Sequence, residues 1–300
     1  MNSSSLVDCR VLVVGSYGML AQDLIAATEA VGATVTGVDR DSVDITDAAA
    51  VAGLIAPGGA SGAGGQPFDV VVNCAAWTAV DAAEDEEAAA FAVNAVGPAN
   101  LARACALVGS RLVHVSTDYV FAGDGDAPYA EDAPIAPRSA YGRTKAAGEW
   151  AVRAELPDAH LIVRTAWLYG AGGPCFPKTM ARLAAERDVL TVVDDQRGQP
   201  TWTADLADLI VRLVVSGAPA GTYHGTSAGE VTWRGFASAV VASAGLSARV
   251  DPVSSAAFAA KAARPAYSVL GHDALLAAGV EPIGDWRARW NVAAESVLAG

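Results

Sequence analysis

Cysteine, methionine and histidine are scarce in this 300-residue chain, at four, three and four copies. The cysteines stand singly at Cys9, Cys74, Cys105 and Cys175, with no CxxC pair. That spacing excludes a zinc ribbon and a disulfide framework and fits a reduced compartment. Basic residues are also short. Twenty Lys and Arg face 33 Asp and Glu, a net charge of −13. So acidic a chain has no bulk field with which to grip nucleic acid or an anionic bilayer, so neither is expected as a partner. The charge-free stretch 48–68 consists largely of Ala, Gly, Pro and Ser and lacks the large apolar residues of a membrane span. The first ten residues, MNSSSLVDCR, have no basic head followed by an apolar run. No signal peptide is expected there, and the chain reads as cytoplasmic.

What the chain does have is apolar bulk. Hydrophobic residues make up 52% and charged residues only 18%, with a mean hydropathy of +0.30. That excludes a disordered protein and allows one large domain or two modest ones. Short β-branched runs at 11–14, 34–38, 68–72, 111–115 and 161–164 alternate with helical spacing at 19–30, 86–108 and 140–154. Nearly all-apolar strands alternating with helices predict an α/β fold, a doubly wound Rossmann-type parallel sheet covered on both faces. After Tyr169 the rhythm changes to a Gly- and Pro-rich loop and shorter elements. Helices are expected at 178–187, 203–215, 232–244 and 285–298. The expected division is a dinucleotide-binding domain over 1–170, rejoined by about 203–226, with 221–224 as a late strand. Residues 171–202 and 227–300 form a smaller mixed α/β substrate domain. The low-complexity stretch 56–67 reads as a surface insertion.

The first strand runs into Gly15-Ser16-Tyr17-Gly18-Met19-Leu20-Ala21, a GxxGxxA spacing that opens the first helix. Glycine at the strand end permits a tight turn, and Gly18 lets a pyrophosphate approach the backbone. The amides and positive dipole of the helix N-terminus complete an anion site. With an acid, Asp39, at the end of the second strand, the context fits a dinucleotide fingerprint. Gly15, Tyr17, Gly18, Met19 and Leu20 would cradle the cofactor. Asp39 would take the ribose hydroxyls of NADH, whereas Arg40 would meet the 2′-phosphate of NADPH, and the sequence leaves both open. Asp44 and Ile45 would come next, near the adenine.

Further along, Ser116-Thr117-Asp118-Tyr119 sits at the carboxyl end of a strand, where open α/β sheets place ligands. Tyr141 and Lys145 then fall one helical turn apart on one face. A phenol is mostly protonated at neutral pH, and a neighbouring ammonium favours its phenolate. The expectation is that Lys145 lowers the pKa of Tyr141, while the Thr117 hydroxyl holds the reacting oxygen in line.

On these motifs the chain resembles the extended short-chain dehydrogenase/reductases. Within them it is similar to the dTDP-4-dehydrorhamnose reductase family. The resemblance runs through GSYGMLAQDL from Gly15, NCAAWTAVDAAE from Asn73, AVNAVGPANLA from Ala92, STDYVFAG from Ser116 and PYAEDAPIAPRSAYGRTKAAGE from Pro128. It continues in VRTAWLYG from Val163, DDQRGQPT from Asp194, GTYHGTSAGEVTW from Gly221 and RPAYSVL from Arg264. It implies a catalytic trio of Thr117, Tyr141 and Lys145. NAD(P)H would reduce the C4 ketone of a dTDP-deoxysugar, with Tyr141 as proton donor and Lys145 on the nicotinamide ribose. Ala75, Ala76, Trp77 and Thr78 would line the cofactor. Asp118, Tyr119, Trp167, Val80, Gln199 and Thr201 would contact the substrate. Asn94 reads instead as a helix amide that ties strands together. Some members of the family hold Mg²⁺ through helix acids at a homodimer interface. Asp23 is the matching position, but no further ligand can be assigned. Mg²⁺ and a homodimer are thus left open, and the reading of the cysteine and acid spacings is that no metal site is present.

Three rival readings are kept. A nucleotide-sugar dehydratase would need a Glu after Asp118, where Tyr119 stands instead. A reductase of another deoxysugar, such as a dihydrostreptose-type synthase, would differ by a few pocket side chains. A dinucleotide-binding regulatory subunit would not require the catalytic trio.

Overall fold

The computed structural model describes residues 6–56, 66–257 and 260–299. Most of the expected insertion at 56–67 therefore lies outside the described residues. Six parallel strands form the central sheet: β1 (Arg10–Val14), β2 (Thr34–Val38), β3 (Val70–Asn73), β4 (Arg111–Thr117), β5 (His160–Thr165) and β6 (Gly221–His224). Their order across the sheet is 2-1-3-4-5-6. Chain direction across the sheet reverses after β2, so the crevice at the carboxyl ends of β1 and β3 is the topological switch point.

The alternation of side chains along each strand decides which helices cover which face. Val11, Val13, Val70, Val72, Leu161 and Val163 point to one side, where Leu20 and Leu24 of α1 (Met19–Ala30) and Leu206 and Leu209 of α6 (Thr203–Val215) meet them. Leu12, Val14, Val71, Leu112 and Ile162 point to the other. There they pack on Val51 of α2 (Ala48–Ile55), Leu101 of α3 (Glu87–Val108) and Val152 of α4 (Ala140–Glu155). By length and composition α3 would cross a membrane, but Leu101, Ala102 and Cys105 are fully buried in this core.

The later part of the chain builds a lobe over the carboxyl edge of the sheet. It contains α5 (Phe176–Glu186), α7 (Trp233–Ser243) and α8 (Trp286–Leu298). Its core is aromatic, with Tyr169, Phe236, Trp286 and Trp290 packed together. Val189–Val193 and Arg249–Val253 form a parallel pair beside them. The chain leaves this lobe to supply α6, which packs on α1 and the sheet, and the edge strand β6, and again at Leu275, Val280 and Ile283, which join the same core.

Three local features differ from the sequence expectation. The strand at 111–115 extends two residues, to Thr117, which carries Ser116 and Thr117 to the rim on strand backbone. Helix α3 contains a π turn over Ala92–Val96, which pure periodicity does not reveal. A short helix, Val80–Ala83, precedes it.

Candidate active site

A cavity of about 1300 Å³ opens between the carboxyl edge of the sheet and the lobe. The turn after β1 forms one end. Gly15 and Ser16 both donate their amides to Val38 O, at 2.8 and 3.0 Å, which pins the turn to β2. Gly15 has φ +85°, and a Cβ there would meet Ala75 N at 2.8 Å. Only glycine accommodates both the left-handed backbone and the close approach of the neighbouring strand end. Asn73 holds that second strand end in place: its Oδ1 accepts the Ala75 amide at 3.1 Å, and its amide nitrogen lies 3.1 Å from Nδ1 of the buried His114. Gly18, Met19, Leu20, Ala76 and Thr78 face the cavity at this end. Tyr17 is exposed beside Asp39, whose charge pushes the phenol upward.

Four predicted cofactor contacts need qualification. Oδ1 of Asp39 is occupied by its own turn, accepting the amides of Asp41 and Ser42 at 2.9 and 3.2 Å. Arg40 is exposed and makes no hydrogen bond or ion pair among the described residues. Asp44 caps Thr46, accepting its amide at 2.9 Å and its hydroxyl at 2.8 Å. The Ile45 side chain is buried in the core beside Gly97, so it is a packing residue rather than a cofactor contact. Trp77 is held by backbone: its amide donates to Asn94 Oδ1 at 2.8 Å, and Asn94 Nδ2 donates back to Trp77 O at 3.1 Å. The same Nδ2 lies 3.1 Å from Thr144 Oγ1 on α4. Asn94 thus ties a loop to the helix that carries Tyr141, not strand to strand.

Thr117, Tyr141 and Lys145 all line the middle of the cavity. Ser139 caps α4, accepting the Gly142 amide at 3.1 Å, and so fixes where Tyr141 begins its turn. Lys145 is buried, and its Nζ donates to Val115 O at 2.7 Å. Burial lowers its pKa to about 8, with Glu149 pulling it back up. Glu149 is itself buried and accepts from Arg164 Nε and Nη2, at 2.9 and 2.8 Å, and from the Ser116 hydroxyl at 2.6 Å. Burial is also the dominant influence on Tyr141, and it pushes the phenol well above its usual range. A hydrogen bond with Thr117 is what pulls it down. The expected acidification by Lys145 is not among the leading influences on the phenol. Asp118 is buried beside them and accepts the Thr117 hydroxyl at 2.9 Å. Desolvation raises its carboxyl to about 6.

The far end of the cavity belongs to the lobe. Trp167 has φ +48° and stacks face to face on Trp233, with ring centroids 3.5 Å apart. Tyr119 meets Tyr141 edge-on at 5.5 Å, and its hydroxyl accepts from Arg264 at 3.4 Å. Val80 lines the cavity as expected. Gln199 and Thr201 do not. Gln199 is buried, with Oε1 accepting Leu270 N at 2.8 Å and Thr226 Oγ1 at 2.9 Å. Thr201 Oγ1 donates to Gln199 O at 3.1 Å, and its amide donates to Trp167 O at 3.2 Å. Both residues brace the frame under Trp167 and are corrected here from substrate contacts to supports. Sequence reasoning also missed Trp233, Arg264 and the face of α5. Trp233 and Arg264 sat at motif edges, where only a three-dimensional contact marks them. Among the described residues no group of three or more His, Cys, Asp or Glu is placed to hold a metal. Asp23 has no such company, and Mg²⁺ finds no support.

Comparison with known proteins agrees with this geometry. A dTDP-4-dehydrorhamnose reductase of Streptomyces griseus is 52% identical over 284 residues, covering 93% of this chain and 91% of that one. A dTDP-4-keto-6-deoxy-D-glucose reductase of Streptomyces niveus is 48% identical, covering 92% and 93%. Among solved structures, dTDP-4-dehydrorhamnose reductase of Bacillus anthracis in complex with NADP superposes with a TM-score of 0.89 at 36% identity, covering 96% of this chain and 99% of that one. The family model described as the RmlD substrate binding domain matches residues 9–298. With the fold, the strand-end turn and the Thr117–Tyr141–Lys145 cluster in place, this chain belongs to the RmlD substrate-binding-domain family.

Proposed function

We propose that the chain is an NADPH-dependent reductase that converts dTDP-4-dehydro-L-rhamnose to dTDP-L-rhamnose. The observation that carries this reading is the meeting of Thr117, Tyr141 and Lys145 in one cavity, between a dinucleotide turn and a stacked tryptophan pair. The residues fit the cofactor. The turn after β1 brings Gly18, Met19 and Leu20 to the cavity, and the amides of α1 open there. Arg40 supports NADPH over NADH, because its guanidinium is uncommitted while Asp39 is held within its own turn.

When bound, the reduced dinucleotide supplies the hydride for the substrate C4. The chain's own groups handle binding and the proton. Tyr141, half-buried on the cavity wall, is protonated at working pH, the form required of a proton donor to the C4 oxygen. Thr117 orients that phenol and the accepting oxygen. Lys145, mostly charged below its pKa of about 8, is fixed by Val115 O where it can hold the nicotinamide ribose. Trp167, Trp233 and Tyr119 form the wall against the sugar. The balance is one ketone, one reduced dinucleotide and one proton giving one alcohol and the oxidised dinucleotide.

The test is a coupled assay with dTDP-4-keto-6-deoxy-glucose, following loss of the reduced dinucleotide with each coenzyme, and identifying the product by NMR. Oxidation that requires a 3,5-epimerase and yields dTDP-L-rhamnose is expected. The Streptomyces niveus relative motivates a second arm: oxidation without the epimerase would move the substrate to the D-series. Binding of NADPH with no oxidation in either arm would overturn the dTDP-4-dehydro-L-rhamnose reading in favour of a reductase of another deoxysugar or a regulatory role.

A further inference from the structure

Helix α5 presents one continuous stripe to the cavity. Phe176, Met180, Leu183 and Arg187 fall at intervals of four, three and four residues, and all four line it. That spacing places Phe176, Met180 and Leu183 above one another on a single helical face, and Arg187 follows them as the C-cap, in extended backbone. The stripe is apolar until its last member. Arg187, at the helix C-cap, is exposed at the cavity edge.

The cavity holds three cations in an otherwise strongly acidic molecule, and two of them are engaged. Lys145 donates to Val115 O at 2.7 Å. Arg264 donates to Asp81 Oδ2 at 2.7 Å. Arg187 makes no hydrogen bond or ion pair among the described residues. Its acidic neighbours do not neutralise it. Glu186 pairs with Arg182 at 3.0 Å, and Asp188 forms no ion pair among the described residues. The helix end favours a positive charge at this position, which accounts for a cation there but not for its facing the cavity.

We infer that Arg187 is the residue that grips the diphosphate of the nucleotide-sugar substrate. This rests on the reading of the cavity as a dTDP-sugar site. A guanidinium offers planar paired donors that match phosphate oxygens, and a free one on a cavity wall has no desolvated partner to give up on binding. The apolar members of the stripe leave the diphosphate no competing polar group on α5. Trp167 stacks on Trp233, and Phe176, at the opposite end of the helix from Arg187, lies against Trp233 at 4.6 Å.

The experiment is calorimetric titration of the whole protein with dTDP and, separately, with thymidine, in the wild type, Arg187→Gln and Arg187→Lys. Arg187→Gln is expected to weaken dTDP about 10- to 100-fold, the range of a hydrogen bond to a charged group, with thymidine affinity unmoved. Arg187→Lys should fall between them, since it keeps the charge and loses the fork. Unchanged dTDP affinity in Arg187→Gln would overturn the assignment. Equal weakening of dTDP and thymidine would overturn it as well, because that marks a loss of packing. A wild type that binds neither compound, while still binding NADPH, would instead bring down the dTDP-sugar reading on which the assignment stands.

Discussion

The two ends of the cavity are built by different means. At the dinucleotide end, backbone does the positioning. Gly15 and Ser16 are pinned to Val38, Ala75 is pinned by Asn73, and the apolar runs Val11–Val14 and Val70–Val72 behind them are buried. At the lobe end, side chains do it. Trp167 and Trp233 define the wall, and the strand under Trp167 is only two residues long, paired with Thr201–Trp202. Between them lies a charged layer, Arg164 and Glu149, buried beneath the strand that presents Thr117. A backbone-built site depends on what a turn can tolerate, whereas a side-chain-built site depends on which aromatic or charged group stands there. The first suits a cofactor common to many enzymes and the second a particular sugar.

That contrast can be tested in order of expected effect. Tyr141→Phe belongs to neither end and should cut turnover about 10²- to 10⁴-fold, the usual contribution of a positioned proton donor. NADPH affinity measured by fluorescence titration should stay within about twofold, because the phenol is not a binding group in this reading. Gly15→Ala should strike only the backbone-built end. The left-handed φ alone costs about 1–2 kcal/mol for an L-residue. The clash with Ala75 adds to it, so both melting temperature and NADPH affinity should fall. Normal NADPH binding by that variant would refute the turn as the cofactor cradle. Trp233→Ala is its counterpart, losing a stacked pair contributing about 0.5–1.5 kcal/mol. It should raise the KM for the keto sugar several-fold, on the order of the same free energy, and leave NADPH alone. An equal loss for both ligands would erase the distinction between the ends.

The smallest effect sharpens the junction. The pKa of Lys145 is depressed to about 8, so its charge is present below that pH and lost as pH rises through it. NADPH affinity should therefore be flat below pH 8 and weaken above it. Lys145→Met should bind NADPH more weakly, with no such inflection. An unshifted inflection in Lys145→Met would assign the titration to another group.

The backbone-built end was also the more legible in the sequence. Strand runs, the glycine turn and the Tyr141–Lys145 interval are short-range patterns, and the observed sheet follows them closely. Thr34–Val38, Met19–Ala30, Thr203–Val215 and Gly221–His224 coincide with the expected bounds. The misreadings came where a residue's role depends on what stands opposite it. Gln199 and Thr201 lie in a motif that resembles a substrate segment, yet their partners are Leu270, Thr226 and Trp167, distant in sequence. Ile45 follows an acid near the cofactor turn, but Gly97 leaves a hole in α3 that its side chain fills. The sign of the influence on Tyr141 likewise depends on burial, which spacing does not report.

The π turn in α3 makes chain length itself a functional quantity. One residue deleted from Ala92–Val96 would restore regular α-helix. It would also shift the side chains inside the turn out of the places that the extra residue gives them. Asn94 would then lose either Trp77 or Thr144, and with it the strut between the loop beside the cofactor turn and the helix bearing Tyr141. Gly148 enforces the same register from the opposite helix, because any side chain there would run into Asn94 O. Substitutions in this stretch vary chemistry, but insertions and deletions break a gauge, so the segment 92–96 should tolerate changes of letter far better than changes of count.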